Sequence, residues 1–500
     1  MPNPRFLHGS FPAPRDRLVG LFYFLWLGEH GRGRPYDISA ITEAHPDAGQ
    51  HPDAPYWGGI GTYHHWGEPF YGYYFSDDEW VVRKHVKLLI QAGVDFLFFD
   101  TTNAVIYEDN AKLVMRVLAE YHAAGWDIPR VMFYTNTHSG DTVQRLYEAV
   151  YKPGFCPETW FRRKDKPTII AVPEECSPEC RDFFDIRLSQ WPNEADKAGG
   201  WPWMDFTRPQ RVFPTLDGTP ECINVSVAQH PQIRFGDSVL YGETANRGRA
   251  FHDGRNDPAP DAYIKCYNFI EQFERALEAD VPVTLVTGWN EWIAGRWPGT
   301  PERPILFVDC ANYEYSRDIE MMRGGYFDNY YKTLCTYAAR LRGLPDETVL
   351  GAGGSVTFPG YPDGTFARDA EGYGTRYVNR TGRYGIRSVD VHRGDDALLF
   401  TLHADRPIDP EDVGGTFLRL WVKNEDGEEI PGTAMTRTVR ADTVDVRIPL
   451  SAVTGSAVDF KAADSREEIR IPEDFYDHGD VLPLGYAWYR VVLRREGKRN

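Results

Sequence analysis

The chain has 500 residues, which exceeds one ordinary domain and fits a large barrel with a smaller second domain. Apolar residues make up 42% and charged residues 26%, a globular mixture that excludes disordered and fibrous classes. The formal net charge of −18 opposes binding to nucleic acid phosphates. No apolar run approaches the roughly 20 residues of a membrane span, so none is predicted.

Short apolar runs alternate with amphipathic stretches over the first two thirds of the chain. Predicted strands, in chain order, cover residues 19–27, 94–99, 130–135, 167–172, 223–228, 238–241 and 283–287. Predicted helices cover residues 77–92, 108–124, 142–151 and 260–278.

The predicted strands are continuously apolar and separated by helices, which is typical of a parallel sheet covered on both faces. About seven such units over about 330 residues predict an α/β fold, a (β/α)8 TIM barrel with insertions. An open, doubly wound sheet is the alternative fold. No G-x-G-x-x-G or P-loop spacing follows any predicted strand, which weakens that alternative.

The sequence pattern changes near residue 345. Residues 346–364 are rich in Gly and Pro and predict a linker. Beyond them apolar residues alternate with period two, for example over 397–404 and 443–450, so residues 365–500 predict a smaller antiparallel β-sandwich. The barrel would then occupy residues 1–345, with a long loop rich in aromatic residues over 28–76, the aromatic loop.

Three carboxylates are candidate catalytic residues, because catalytic groups of (β/α)8 barrels lie at the C-terminal ends of the strands. Glu291 follows the strand at 283–287 and lies between two tryptophans, which would raise its pKa. Asp100 ends the strand at 94–99, although a helix-capping turn explains it equally well. Glu243 follows the predicted strand at 238–241, and an ion pair with Arg247 is the alternative explanation.

Aromatic residues make up 14% of the chain, and flat rings cover the apolar face of a sugar. The aromatic-rich residues 56–80 predict either the wall of a sugar cleft or a plug that buries its own rings. The adjacent His64 and His65 would point in opposite directions, so the two are not expected to bind one metal ion. No metal site and no cofactor are predicted. Candidate substrate-binding residues are Tyr23, Trp26, His65, Trp66, Asn136, His138, Trp289, Asn290 and Trp292.

Three of these stretches resemble the glycoside hydrolase family 71/99-like group, whose family 99 members are endo-acting α-mannosidases on (β/α)8 barrels. Residues 20–26, Gly-Leu-Phe-Tyr-Phe-Leu-Trp, resemble the Phe-Tyr-Tyr-Pro-Trp-Tyr pattern of its first strand. His65-Trp66 and residues 72–100 resemble its His-Trp loop, first helix and second strand. Residues 289–292, Trp-Asn-Glu-Trp, resemble its late Asn-Glu-Trp motif, the most specific of the three.

The resemblance covers residues 18–335 in order and implies a catalytic role for Glu291. In family 99 a second catalytic Glu follows three residues later, whereas this chain has Ala294 there. The family mechanism, with one Glu as base through the sugar 2-hydroxyl and the other as acid, therefore does not transfer whole. Either Asp100 or Glu243 supplies the partner, or the chemistry or substrate has changed. The predicted sandwich, residues 365–500, is similar to sandwich domains that follow the barrel in such bacterial enzymes.

We therefore predict a glycoside hydrolase that acts on an oligo- or polysaccharide with a carboxylate pair including Glu291. The alternatives are a barrel that binds glycans without cleaving them and a polysaccharide lyase with a Tyr or His base. The first residues have no apolar segment typical of a signal peptide, so the chain as written predicts a cytoplasmic protein. It would be secreted or periplasmic if such a segment was trimmed. Linkage, stereochemistry and oligomeric state stay open.

Overall fold

The computed structural model of the chain describes residues 5–409 and 418–494. Helices, in chain order, are α1 Ile38–Ala44, α2 Glu79–Ala92, α3 Glu108–Ala123, α4 Ser139–Leu146, α5 Pro178–Phe183, α6 Phe235–Tyr241, α7 Tyr267–Ala279, α8 Asn329–Arg342 and α9 Asp474–Asp477. None of the helices in these residues has the length and apolar composition that crossing a bilayer requires.

The strands of the N-terminal part are β1 Leu18–Tyr23, β2 Tyr63–His65, β3 Phe96–Thr101, β4 Arg130–Thr135, β5 Arg162–Arg163, β6 Lys166–Ala171, β7 Asp185–Gln190, β8 Gly200–Pro202, β9 Val212–Pro214, β10 Pro220–Ser226, β11 Phe251–His252, β12 Arg255–Asn256, β13 Val283–Thr287, β14 Ile293–Gly295, β15 Trp297–Pro298 and β16 Ile305–Leu306. Those of the C-terminal part are β17 Thr348–Leu350, β18 Ser355–Pro359, β19 Arg368–Gly372, β20 Thr375–Asn379, β21 Ile386–Arg393, β22 Ala397–Ala404, β23 Arg419–Asn424, β24 Thr436–Val439, β25 Thr443–Pro449, β26 Ala457–Asp464, β27 Asp480–Leu482 and β28 Tyr489–Leu493.

The N-terminal part is a (β/α)8 barrel, which confirms the predicted fold class. Its parallel strands follow the order β8-β7-β6-β4-β3-β1-β13-β10. Strand β9 is antiparallel to β10, and the backbone N–H of Gly199 beside β8 donates to Pro214 at the end of β9 (2.7 Å), which completes the ring. The C-terminal ends of the parallel strands therefore meet at one mouth, where barrel enzymes carry their chemistry.

Aromatic side chains fill the barrel from strands on opposite sides. The rings of Phe22 in β1 and Phe98 in β3 stack with centroids 4.8 Å apart. Phe22 also contacts Tyr134 of β4 (5.9 Å) and Trp203, which follows β8 (6.1 Å). All four residues are buried. The strands are continuously apolar because both of their faces are covered, by these rings inside and by helices outside.

One predicted strand is wrong, and two barrel strands were not predicted. Residues 238–241, predicted as a strand, end helix α6, because so short an apolar run fits either period. Strand β7 was not predicted because Asp185 and Arg187, which form an ion pair (2.8 Å), interrupt its apolar pattern. Strand β8 has only three residues, too few for a recognisable pattern.

The aromatic loop is fastened across the mouth of the barrel. Its strand β2 pairs antiparallel with β14, with His65 opposite Ile293 and Tyr63 opposite Gly295. Since β14 follows Glu291 by two residues, this pairing fixes the loop beside the candidate catalytic segment. Most of its rings are buried, so the plug is the better description of residues 56–80.

The C-terminal part is a β-sandwich, as predicted, whose strands pair antiparallel except for β17, which is parallel to β28. One sheet has the order β17-β28-β26-β23, with β27 on β26, and the other has the order β18-β21-β22-β25-β24. Phe460 of β26 contacts Phe358 (4.9 Å) and Phe400 (5.3 Å) of the facing sheet, which forms the sandwich core.

The segment 346–364 is not a linker, which corrects the prediction. Its strand β17 pairs with β28, and its strand β18 pairs with β21. Three of its glycines, Gly351, Gly353 and Gly354, lie in the turn between the two strands, where the Gly354 N–H donates to the Gly351 carbonyl (3.1 Å). Glycine is frequent in tight turns as well as in linkers, so composition alone could not separate the two.

Candidate active site

Glu291 lies at the mouth of the barrel, four residues after the end of β13, and is only 4% exposed. Arg317 donates two hydrogen bonds to it, from Nε to Oε2 and from Nη2 to Oε1, both 2.9 Å long. This bidentate geometry fixes the plane of the carboxylate. Burial raises the pKa of Glu291 well above its usual range, although Arg317 opposes the shift.

Arg317 connects Glu291 to a second carboxylate and to a histidine. Its Nη2 also donates to Asp309 (3.1 Å), and its Nη1 lies 3.2 Å from His230 Nδ1. Burial alone would lower the pKa of Arg317, but Glu291 and Asp309 outweigh burial and raise it. The guanidinium therefore stays positively charged while it holds the carboxylates.

Asp318 holds the backbone of Glu291 by a hydrogen bond. Its Oδ1 accepts a hydrogen bond from the Glu291 N–H, and its Oδ2 accepts one from Trp66 Nε1 (2.6 Å). Its backbone carbonyl accepts from Arg249 Nη2 (2.8 Å). Burial raises the pKa of Asp318 to about 7. These contacts fix the position of the catalytic candidate, because both its side chain and its backbone are held.

Asp100 is the last residue but one of strand β3, at the same mouth, and is 6% exposed. Its Oδ1 accepts hydrogen bonds from the backbone N–H (3.0 Å) and the hydroxyl (2.7 Å) of Thr102. Burial raises the pKa of Asp100 to about 6, since these two bonds and the charge of Arg317 only partly oppose it. Asp309 and Arg317 influence the pKa values of both Asp100 and Glu291, so the structure brings these two candidates into one electrostatic cluster.

Four predicted substrate-binding residues are buried behind the mouth, which corrects their predicted position. Trp66 and Trp292 stack on each other with ring centroids 4.5 Å apart, and neither is exposed to solvent. Trp289 is equally buried, with its ring against His85. His65 is enclosed by two tyrosines, and burial lowers its pKa to about 3. So many large rings in one segment pack on each other because water cannot cover them all.

Asn290 and Tyr23 also make internal contacts rather than facing the cleft. The Asn290 amide pairs with the backbone of Phe24, accepting from its N–H (2.9 Å) and donating to its carbonyl (3.1 Å). It thus continues the β1–β13 pairing beyond the end of the strands. The Tyr23 hydroxyl hydrogen-bonds to His85 Nδ1 (2.9 Å), and His85 in turn contacts buried Glu320 (2.9 Å).

Three other predicted residues lie nearer the surface of the mouth. Trp26 is 9% exposed, and its ring packs against His30 and Tyr63. Asn136 follows β4 and accepts a hydrogen bond from the Ser189 hydroxyl (2.8 Å). His138 is exposed and precedes helix α4.

Glu243 is not part of this cluster. It follows helix α6 rather than a strand, and its carboxylate forms an ion pair with Arg303. In the described residues it makes no hydrogen bond or ion pair with Asp100, Glu291 or Arg317. Because the segment before it is helical, the rule that strand ends carry the chemistry does not apply to it.

Several residues of the mouth were missed by the sequence analysis. Trp191 and Trp203 follow β7 and β8, and their rings meet edge to face (5.5 Å). The Arg317 guanidinium lies 5.3 Å from the Trp203 ring centroid. The buried indole N–H groups of both tryptophans lack a hydrogen-bond partner within residues 5–409 and 418–494. The positions of these two rings after strand ends could have identified them if β7 and β8 had been predicted.

No protein-family model matches the chain, and no curated protein sequence matches it. Among solved structures it is similar to the GH99 endo-alpha-mannosidase from Bacteroides thetaiotaomicron, at 14% identity and a TM-score of 0.39, over 66% of this chain and 98% of that one. The same enzyme in complex with bis-tris-propane gives 15% identity and a TM-score of 0.38, over 66% and 98% of the two chains. A third structure, a glycoside hydrolase-like protein, gives 14% identity and a TM-score of 0.36, over 67% of this chain and 98% of that one. The chemistry proposed for this chain therefore rests on the geometry of its own mouth.

Proposed function

We propose that the protein is a glycoside hydrolase that cleaves O-glycosidic bonds in an oligo- or polysaccharide. The observation that carries the proposal is the pair of buried carboxylates, Asp100 and Glu291, at the C-terminal ends of two barrel strands. Glycoside hydrolysis uses one carboxyl group as a proton donor and one carboxylate as a nucleophile or base. The different surroundings of the two residues suit these two roles.

Glu291 suits the role of the charged carboxylate. Burial raises its pKa, but both of its oxygens accept hydrogen bonds from Arg317, a cation that stays charged and favours the ionised form of Glu291. A positioned carboxylate can stabilise or attack the oxocarbenium-like carbon of the transition state. This assignment supplies a role for Glu291 that does not need an acid at residue 294.

Asp100 suits the role of the general acid. Burial raises its pKa to about 6, and both of its hydrogen bonds from Thr102 reach Oδ1. Its Oδ2 makes no hydrogen bond within the described parts of the chain, so it is available to protonate a leaving oxygen. A raised pKa keeps a useful fraction of the acid protonated in mildly acidic solution.

The rest of the mouth offers the contacts that a sugar needs. The indole N–H groups of Trp191 and Trp203 are buried without a partner in the described residues, and a side-chain movement that uncovers them on binding would let them donate to sugar hydroxyls. The half-buried ring of Trp191 provides apolar surface for the C–H face of a sugar. Asn136 and Ser189 add polar groups between them.

A product screen tests the proposal. Wild type and the variants Glu291→Gln, Asp100→Asn and Glu243→Gln are incubated in ¹⁸O-water with α- and β-linked oligosaccharides, mannosides included, and products are identified by mass spectrometry. We expect labelled products from wild type and Glu243→Gln, and rates reduced by about 10²–10⁴ in the other two variants. Glu243→Gln is the matched control because it removes the same kind of charge from a surface ion pair.

The alternatives give different results in the same screen. An unlabelled, unsaturated product that absorbs ultraviolet light would indicate a lyase. Glycan binding without any product would indicate a binding protein. Full activity in Glu291→Gln would remove this residue from the mechanism.

A further inference from the structure

We propose that a cavity beside the barrel mouth binds the anionic group of an acidic saccharide, which is a uronate carboxylate or a sulfate ester. The cavity has a volume of about 890 Å³ and is bounded by Arg208, residues 244–247 and the hairpin formed by β11 and β12. The inference rests on the proposed function, because the ligand is a substituted sugar of the chain held at Glu291.

Two arginines share one aromatic ring in this cavity. The guanidinium carbons of Arg208 and Arg247 lie 5.7 and 5.6 Å from the centroid of the Phe251 ring. Burial lowers the pKa of Arg208 to about 10, with a smaller contribution from the charge of Arg247 and against the effects of Glu271 and Asp205. Burial also lowers the pKa of Arg247. Two cations are therefore held close together in a place that disfavours their charge, which an anionic ligand would relieve.

Two carboxylates act on this pair from outside the cavity lining: Glu271, and Asp205, which is itself paired with Arg211 (2.8 Å). Arg208 has one ion pair, with Glu271 (3.3 Å), and its Nη2 donates to Gln229 (3.2 Å) and Asn268, whereas its buried Nε has no partner in the described residues. Arg247 donates from Nη1 to the carbonyl of Phe206 (2.7 Å). Within the ranges that the structure describes, no carboxylate lies within ion-pair distance of Arg247 or of the exposed Arg255, which also lines the cavity.

The two carboxylates that line the cavity do not cancel its positive charge. Burial raises the pKa of Glu314 to about 7, so a large fraction of it is neutral near that pH, and Asp257 carries one charge. Three arginines face these two groups. The net positive charge of the lining contrasts with the net −18 of the whole chain, and a guanidinium pair matches a carboxylate or sulfate better than it matches a neutral hydroxyl.

A short series of contacts joins the cavity to the candidate active site. Arg247 holds the Phe206 carbonyl, and the Phe206 ring lies 5.3 Å from that of His230. His230 Nδ1 lies 3.2 Å from Arg317, which holds Glu291. Phe206 and His230 are half-buried, so a saccharide that is cleaved at Glu291 and continues across the Phe206 ring would reach Arg247.

Equilibrium binding with matched oligosaccharides tests the inference. Each oligosaccharide of the product screen is prepared in neutral form, with a 6-carboxylate and with a 6-sulfate, and its Kd is measured by calorimetry. The proteins all carry Glu291→Gln, which slows cleavage during the titration, alone or combined with Arg247→Gln, Arg255→Gln or Arg447→Gln. Arg447 is a matched control, because it pairs with exposed Asp396 on the sandwich. Arg255→Gln is included because an exposed hairpin residue can be replaced without loss of the fold.

We expect Glu291→Gln, alone or combined with Arg447→Gln, to bind an anionic form about tenfold or more tightly than its neutral counterpart, the effect of one charge-assisted hydrogen bond. Arg247→Gln should lose this preference, and Arg255→Gln should reduce it. Preference for the carboxylate or for the sulfate identifies the anionic group. Equal binding of neutral and anionic forms overturns the inference, and so does an unchanged preference in both cavity variants. In either case, cleavage of neutral sugars would still support the proposed function. Binding of none overturns both.

Discussion

The two buried carboxylates at the barrel mouth differ in how their oxygens are used. Glu291 has both oxygens bound by the charged Arg317, whereas Asp100 has both hydrogen bonds on one oxygen, from the neutral Thr102. Burial raises the pKa of both groups, but Arg317 favours the anion of Glu291 through both of its oxygens, whereas the second oxygen of Asp100 is left able to carry a proton. The assignment of roles follows from this difference at the level of single residues.

The acid role of Asp100 predicts a pH dependence. A general acid must be protonated, and Asp100 is protonated below its pKa of about 6, so kcat should fall as the pH rises through about 6. The measurement is the rate of wild type from pH 4 to pH 8 on a substrate found in the product screen. Asp100→Asn should remove most of the rate at every pH.

Glu243→Gln should keep the wild-type decline, because Glu243 is paired with Arg303 outside the cluster. A wild-type rate that stays constant between pH 5 and pH 8, with saturating substrate, would contradict the acid role of Asp100.

At the scale of elements, the join between β1 and β3 depends on a glycine. Gly20 lies opposite Phe96 in the register of the two strands. A Cβ at residue 20 would lie 2.3 Å from carbons of the Phe96 ring, and this ring is held by stacking on Phe161 at 4.2 Å. The ring therefore occupies the space that a side chain at residue 20 would need.

We expect Gly20→Ala to destabilise the protein by about 1–3 kcal/mol, because overpacking must displace a buried ring or a strand. The measurement is the free energy of unfolding in urea. Gly59→Ala is the matched control, since an added Cβ there contacts nothing within 4 Å, and a change within about 0.5 kcal/mol is expected. Equal free energies of unfolding for Gly20→Ala and Gly59→Ala would contradict the prediction, because the Phe96 ring or its strand could then move without cost.

At the scale of the whole molecule, the C-terminal part is joined to the aromatic loop by the β19–β20 hairpin. The Tyr377 hydroxyl accepts a hydrogen bond from the Tyr73 N–H (2.8 Å), and the Tyr373 hydroxyl accepts one from the Gly28 N–H (2.8 Å). Arg368 forms a buried ion pair with Asp78, the N-cap of α2 (2.7 Å). The loop that covers the barrel mouth is thus held partly by the sandwich side of the chain.

Because the β19–β20 hairpin connects the two parts, we expect the barrel and the sandwich to unfold together. We also expect Arg368 to contribute to the stability of both. Arg368→Leu should destabilise the chain by about 3–5 kcal/mol, because it leaves the buried Asp78 without its ion pair. Arg376→Leu, in the same hairpin, removes an exposed pair with Asp369 and should cost at most about 1 kcal/mol. Calorimetric unfolding measures both effects. Two separate transitions in wild type, with only one of them shifted by Arg368→Leu, would contradict a shared joint.

The sequence determined the features that depend on local pattern. The strands at 130–135 and 283–287 coincide with β4 and β13, and Glu291 follows β13 as predicted. Continuous apolar runs specify buried parallel strands, and chain order then specifies the barrel, because crossover connections are right-handed and short. The C-terminal sandwich follows equally from its period-two pattern.

Only the tertiary structure decided which groups surround Glu291. Arg317, Asp309 and Asp318 come from the irregular segment between β16 and α8, which has no periodic pattern that would place its side chains. Tertiary packing also decided that Trp66, Trp289 and Trp292 support the mouth from behind, since a sequence shows that a ring is apolar but not which face of the fold covers it. Such contacts join residues far apart in the chain, and their energies depend on distances that no local pattern contains.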